Sequence, residues 1–470
     1  MTHDDGISRR RFLATGIAAG VAAGTITPFE ALADGRRRRR RGRDRDDRDD
    51  HDDHERDGPR EFGPIAPVPD ASTGLPLLEL PAGFEYTSFG WTGDPLERGE
   101  PTPSNHDGMG CFRSRRHQLV LVRNHERNTG SPFSPHAPVY DPAAAGGTTS
   151  LVFDARRRRV VRMYASLTGT LRNCAGGVTP WGSWITCEET RNGPGDGPLL
   201  EEHGFCFEVP VRGTADAQPL RAMGRFSHEA IAFEHDGSAA YLTEDRTNAG
   251  LYRFLPNRRR RLSTGRLQML RVRDAPGADL SRGVTVGEWL AIDWVDIAEP
   301  APAGRRRDVD RNSVFGQGRA QGAARFIRLE GIWAGRRRIY FVSTSGGPAR
   351  RGQIFELDPR RQRLRLLFES SGAAELDSPD NLAVSPRGGI VLCEDGAGSD
   401  RLLALSRHGE LSVLARGNVR LAGERGFVGD FSSSELAGAC WSRGGRWLFV
   451  NVQRPGITLA IRGPWHRGGL

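Results

Sequence analysis

The chain has 470 residues and a formal net charge of +9, a basic surplus that raises the question of nucleic-acid binding. All 67 basic residues are arginine and none is lysine, which fits the codon bias of a GC-rich genome better than a phosphate-binding surface, so nucleic acid is not an expected partner. With 60 glycines and 29 prolines the chain is rich in turns, which favours short strands over long helices and points to an all-β fold.

At the N-terminus, Ser8-Arg9-Arg10-Arg11-Phe12-Leu13 sets two arginines ahead of an apolar stretch diluted by Gly16, Gly20 and Gly24. That stretch is too short and too weakly apolar for a stable membrane span. Ala31-Leu32-Ala33 then supplies a small-x-small cleavage pattern, so residues 1–33 read as a twin-arginine signal peptide. The expected location is the periplasm or the cell exterior, reached through the twin-arginine translocon. No later hydrophobic run approaches membrane length, so no membrane span is expected.

Residues 34–70 mix Arg, Asp, His and Pro with little that is apolar, and read as a disordered charged linker. Within it, His51-Asp52-Asp53-His54-Glu55 reads as solvated polyampholyte in preference to a loose metal site. Six cysteines (Cys111, Cys174, Cys187, Cys206, Cys393 and Cys440) have irregular spacing and no CxxC pair. Disulfides are permitted in an exported chain, but composition assigns none.

Residues 71–470 carry a pattern repeated six times: a polar residue, a short apolar strand, a turn, and a second strand ending on acids or amides. The copies start at Asp107, Asn173, Glu229, Glu330, Asp380 and Glu435. Their second strands end at Asn124 and Glu126, Glu189, Glu244 and Asp245, Ser345, Glu394 and Asp395, and Gln453. The copies recur about every 50 to 66 residues, with one wider gap before Glu330, as expected for the four-stranded units of a six-bladed β-propeller. The extra length, residues 257–322, reads as an insertion. Arginine clusters at 156–159, 258–261, 305–307 and 336–338 read as solvated hairpin tips rather than a binding patch.

Inner strands surround a central channel, so a polar residue at the same end of each would converge on one mouth. So many carboxylates cannot all ionise side by side; protons or cations must neutralise them. Numerous hard oxygen ligands suit Ca²⁺, and carboxylates with a thiolate suit a more Lewis-acidic transition metal.

The segment Asn173-Cys174-Ala175-Gly176-Gly177, then Thr179-Pro180-Trp181-Gly182, Trp184 and Thr186-Cys187-Glu188-Glu189, resembles the PhoX family of alkaline phosphatases. So do Arg123-Asn124-His125-Glu126, His228-Glu229-Ala230, Arg328 with Glu330-Gly331, Ser378-Pro379-Asp380-Asn381 and Asn451-Val452-Gln453-Arg454-Pro455-Gly456. The resemblance spans about Leu77 to Trp465, in a chain compact for the family. It implies a propeller with a mixed Fe³⁺ and Ca²⁺ centre at the channel mouth, hydrolysing small phosphate monoesters, expected as a monomer. By similarity Cys174 is an iron ligand, Glu189, Glu229 and Glu330 are carboxylates of the cluster, and Arg328 clamps phosphoryl oxygens. Calcium is assigned to Asn124, Glu126, Asp245, Asp380, Glu394 and Glu435. No serine sits in a recognisable nucleophile motif, which points to a metal-activated oxygen as nucleophile. A calcium-dependent propeller lactonase or esterase is the alternative enzyme, although it has no need of Cys174; a calcium-stabilised binding module is the non-enzyme alternative.

Overall fold

The computed structural model describes residues 62–115, 117–304 and 310–470. The expected signal peptide, the expected linker up to residue 61 and the arginine cluster at 305–307 lie outside the described residues. Among the described residues no helix is long and apolar enough to cross a membrane.

Six groups of antiparallel strands are arranged as blades, the third and fourth joined edge to edge in one nine-stranded sheet. The first is His106–Arg113, Gln118–His125, Gly146–Asp154 and Arg159–Thr170. The second has three strands, Asn173–Val178, Ser183–Glu188 and Cys206–Pro210. The third is His228–Phe233, Ala240–Glu244, Tyr252–Arg258 and Arg261–Val272; the fourth is Leu329–Ala334, Ile339–Ser343, Gln353–Asp358 and Arg363–Glu369. The fifth is Pro379–Val384, Ile390–Glu394, Arg401–Leu405 and Leu411–Gly417. The sixth joins Leu436–Trp441, Leu448–Val452 and Ile457–Arg462 to Glu85–Phe89 from the start of the fold. Each inner strand neighbours the inner strands of the two adjoining blades, and the sixth returns to the first, which closes the ring. The fold is a six-bladed β-propeller.

Alternation of apolar residues packs one blade against the next. Leu121, Leu151 and Phe153 of the first blade, for example, meet Cys440, Phe449 and Ala460 of the sixth.

Two boundaries differ from expectation. The ordered fold begins inside the expected linker: Phe62 is buried edge-on against Phe84, and Ile65–Val68 pairs with Leu78–Pro81 on the outer edge of the fifth blade. These apolar side chains find partners far away in sequence, which local composition does not reveal. The insertion also starts later, because residues 257–272 complete the third blade's own outer hairpin. Beyond that hairpin the chain adds Trp289–Asp296, which pairs with outer strands of both the third and fourth blades. All six cysteines are free thiols, although Cys187 and Cys206 face each other on neighbouring strands with their sulfurs 3.5 Å apart.

Candidate metal centre

Every inner hairpin carries a register shift near its start, where two residues of the inner strand oppose one of its partner. Such a bulge leaves a residue unpaired and re-aims its side chain. The first residue of the bulge is Asp107, Cys174, Glu229, Glu330 and Asp380 in the first five blades, and Gly438 in the sixth. The residue after it is small or short (Gly108, Ala175, Ala230, Gly331, Asn381, Ala439), because adjoining inner strands approach closely there. A Cβ on Gly108 would lie 2.5 Å from the Ala175 Cα, and one on Gly331 would lie 2.8 Å from the Asp380 carbonyl oxygen.

The register corrects two members of the expected set. Asn173 sits one residue before the bulge and is used structurally, accepting from Thr170 and donating to Thr186; Cys174 takes the ring position instead. Glu435 lies three residues ahead of Gly438, yet its buried carboxylate still reaches the ring through Gln453 and Asp380.

Ligand atoms of Cys174, Glu189 and Glu229 lie within 4.8 Å of one another, as do those of Glu229, Glu330 and Asp380. Glu229 belongs to both groups. The Cys174 thiol donates to its Oε1 at 3.2 Å, while its Oε2 is buried without a partner, as is Glu435 Oε1. Burial, reinforced by surrounding carboxylates that include Asp380, pushes Asp107, Glu229, Glu330 and Glu435 well above the usual carboxylate range. Glu189 is pushed up to about 8 by burial, with Asp245 and Glu126 adding to it and Arg172 opposing. The Cys174 thiol is raised by burial and then by Asp107, Glu229 and Glu189. Carboxylates and a thiol this crowded, with orphaned oxygens between them, form a donor set that fits cations.

Two arginines stand over this ring. Arg172 and Arg328 each immediately precede an inner strand and adopt left-handed backbone conformations, φ 53° and 45°, which are uncommon for a non-glycine residue. Arg172 Nε pairs with Glu126 at 3.1 Å and Glu189 at 3.3 Å. Arg328 donates through Nε and Nη2 to Asp245, at 3.0 and 3.3 Å, and through Nη2 to Glu330 at 2.6 Å. Glu330, then Asp245, raise its pKa against the effect of burial, so it stays cationic. Its side chain is still 40% exposed, and Nη1 lies outside these ion pairs.

Two further expected ligands are otherwise engaged. The Asn124 amide donates to the Cys174 and Ala175 carbonyls and accepts from Trp184 Nε1, which ties the first blade to the second. Glu394 receives a bidentate pair from Arg401 and the backbone N–H of Asp377. Glu244 behaves similarly, accepting from Gly250 N and the Tyr252 hydroxyl. In Glu188-Glu189, Glu244-Asp245 and Glu394-Asp395 the first acid braces a loop and the second belongs to the central cluster, since successive strand residues face opposite ways. Sequence reasoning therefore put Asp395 at the end of the fifth copy but gave the site role to Glu394; the pKa of Asp395 is raised by burial and by Asp380. Sequence reasoning also missed the role of Gln453, whose Nε2 donates to Glu435 at 2.7 Å and Glu126 at 3.2 Å, with Asp107 at 3.4 Å.

The chain is similar in fold to PhoX of Pseudomonas fluorescens, solved in complex with vanadate, a transition state analogue. The TM-score is 0.60 at 17% identity, covering 86% of this chain and 98% of that one. A gluconolactonase from Xanthomonas campestris aligns with a TM-score of 0.41 at 12% identity, over 86% of this chain and 98% of that one. Comparison with curated protein sequences finds no match. Residues 60–456 match the family described as alkaline phosphatase PhoX. The chain belongs to the PhoX family of alkaline phosphatases.

Proposed function

We propose that this protein is an exported phosphomonoesterase whose mixed iron and calcium centre is held at the mouth of the propeller channel. The observation that carries the proposal is the pair of overlapping ligand groups sharing Glu229, which has a buried, partnerless oxygen. Cys174, Glu189 and Glu229 would hold the iron, where a thiolate beside carboxylates suits a transition metal. The oxygen-rich remainder (Asp107, Glu126, Asp245, Glu330, Asp380, Asp395 and Glu435) suits calcium. Bound there, the cations would neutralise these acids and act as Lewis acids toward phosphoryl oxygens.

The chain's own part is to orient the substrate. Arg328 is held in place by Asp245 and Glu330, and a planar guanidinium can grip two phosphoryl oxygens at once. Arg172, bridging Glu126 and Glu189, adds a second positive charge at the same mouth. Catalysis of phosphoryl transfer rests largely on positioning and on stabilising charge at the equatorial oxygens, which both guanidinium groups serve. Vanadate, which the Pseudomonas relative binds, is therefore expected to inhibit this chain as well.

Elemental analysis of the purified protein, paired with phosphomonoester hydrolysis before and after chelation, tests the reading. Iron together with calcium, and activity lost on chelation, are expected. Calcium alone would favour a lactonase or a binding module, and a metal-free active protein would overturn the site.

A further inference from the structure

The arginine clusters at 156–159, 258–261 and 336–338, each a solvated turn when taken singly, share one face. Every inner strand starts at the metal centre and runs away from it, so its hairpin with the second strand turns at the far end of the channel. The register places the tip between third and fourth strands at that same end: Gln118 pairs with Asp154, which pairs with Arg159, and Ile339 pairs with Leu357 beside Asp358 and Arg363. Each blade contributes at least one exposed arginine there: Arg156, Arg212, Arg260, Arg337, Arg407 and Arg443. None of the six forms an ion pair among the described residues.

Acids on this face are largely taken by other arginines: Asp154 by Arg157, Asp236 by Arg259, and Asp358 by Arg338 and Arg363. Exposed Asp216 and Glu410 offset Arg212 and Arg407, so the unbalanced charge rests on the first, third, fourth and sixth blades. Between the fifth and sixth blades the same face holds a recess of about 380 Å³, lined by Gly83, Glu85, Arg387, Gly445, Arg446 and Arg462.

We infer that this face docks on an anionic phospholipid surface. The charges are spread around a ring of tips rather than along a groove, so an extended anionic plane meets them together while a linear polyanion meets only some. Guanidinium groups match phosphate geometry and are weakly hydrated, which favours contact with lipid headgroups. The recess is of the size of small-ligand sites, about 300 to 1,000 Å³; Glu85 engages Arg462 there, which leaves Arg387 and Arg446 to meet a phosphate headgroup. Contact by this face leaves the metal centre pointing away from the lipid, open to soluble substrate. The attachment is electrostatic and peripheral, and it does not depend on what the metal centre does.

Sedimentation of the purified protein with phosphatidylcholine vesicles, with and without about 30% phosphatidylglycerol, tests this. Expected are binding to the anionic vesicles only, at least tenfold weaker when salt rises from about 50 to about 250 mM, and its loss in R260E/R337E/R443E. That variant should keep wild-type phosphomonoester hydrolysis, which shows it is folded. No binding to anionic vesicles at low salt, equal binding by the variant, or binding to duplex DNA in preference to the vesicles would each overturn the inference.

Discussion

Gly438 occupies the ring position at which the other five blades present a thiol or a carboxylate, and sterics explain why. Its φ is +63°, and a Cβ there would lie 2.3 Å from the Asp107 carbonyl oxygen and 3.0 Å from Asn451 Nδ2. The sixth blade's carboxylate therefore comes from Glu435, reaching in from ahead of the strand. Gly438→Ala should destabilise the protein by about 2 kcal/mol or more, read as a lower urea midpoint; an unchanged midpoint would mean the ring has slack at its seam. Arg328 makes the opposite case, a bulky residue in a left-handed conformation that glycine would adopt more readily. Arg328→Ala keeps the Cβ that this left-handed position already tolerates and so should fold, yet lose about 10²- to 10³-fold in kcat, the magnitude typical of removing one preorganised charge donor. Arg328→Lys should recover little, because an ammonium cannot serve two acids and a phosphoryl group together. Unchanged activity in Arg328→Ala with metal content intact would remove it from the catalytic machinery.

At the scale of the element, the loops are braced from within. His203 is fully buried between Glu188, 2.6 Å from its Nδ1, and Asp141, 3.2 Å from its Nε2. Glu188 also accepts from Leu171, Gly204 and Phe205 N–H groups, so one carboxylate pins both ends of the second blade next to Glu189. Burial alone would depress the His203 pKa, but Glu188 and Asp141 outweigh it and the net shift is upward. Its stabilisation is therefore complete below the unfolded value near about 6.5 and fades as pH rises through the higher folded value. His203→Gln should cost about 3 kcal/mol at pH 6, and the gap to wild type in urea unfolding should narrow toward pH 9; a constant gap would mean the imidazole is neutral throughout. These elements also mark what was legible in sequence. The six hairpins could be read because each apolar strand ends on polar residues and the unit recurs. The bulge could not, since nothing local announces it, and a one-residue slip flips a side chain to the other face. That slip is what separates Asn173 from Cys174, and the same alternation separates Glu394 from Asp395.

For the whole molecule, the ring closes only because its two ends share a blade. Glu85–Phe89 pairs along its full length with Ile457–Arg462, and Arg123 of the first blade donates to the Gly90 carbonyl at 2.8 Å and to Thr458 at 2.7 Å. None of these residues belongs to the central carboxylate cluster, yet that cluster draws its groups from every blade and exists only while the ring is shut. Removing residues up to Phe89 strips the sixth blade of its outer strand and takes Phe84, Tyr86 and Phe89 out of the core, each buried. At roughly 1.5–3 kcal/mol for each of these three side chains, the loss is about 4.5–9 kcal/mol, comparable to the whole stability of an ordinary domain. Such a truncated chain keeps every candidate ligand but should melt non-cooperatively and take up neither iron nor calcium, as read by calorimetry and elemental analysis. If instead it bound metal with wild-type stoichiometry, local hairpins rather than ring closure would be assembling the site.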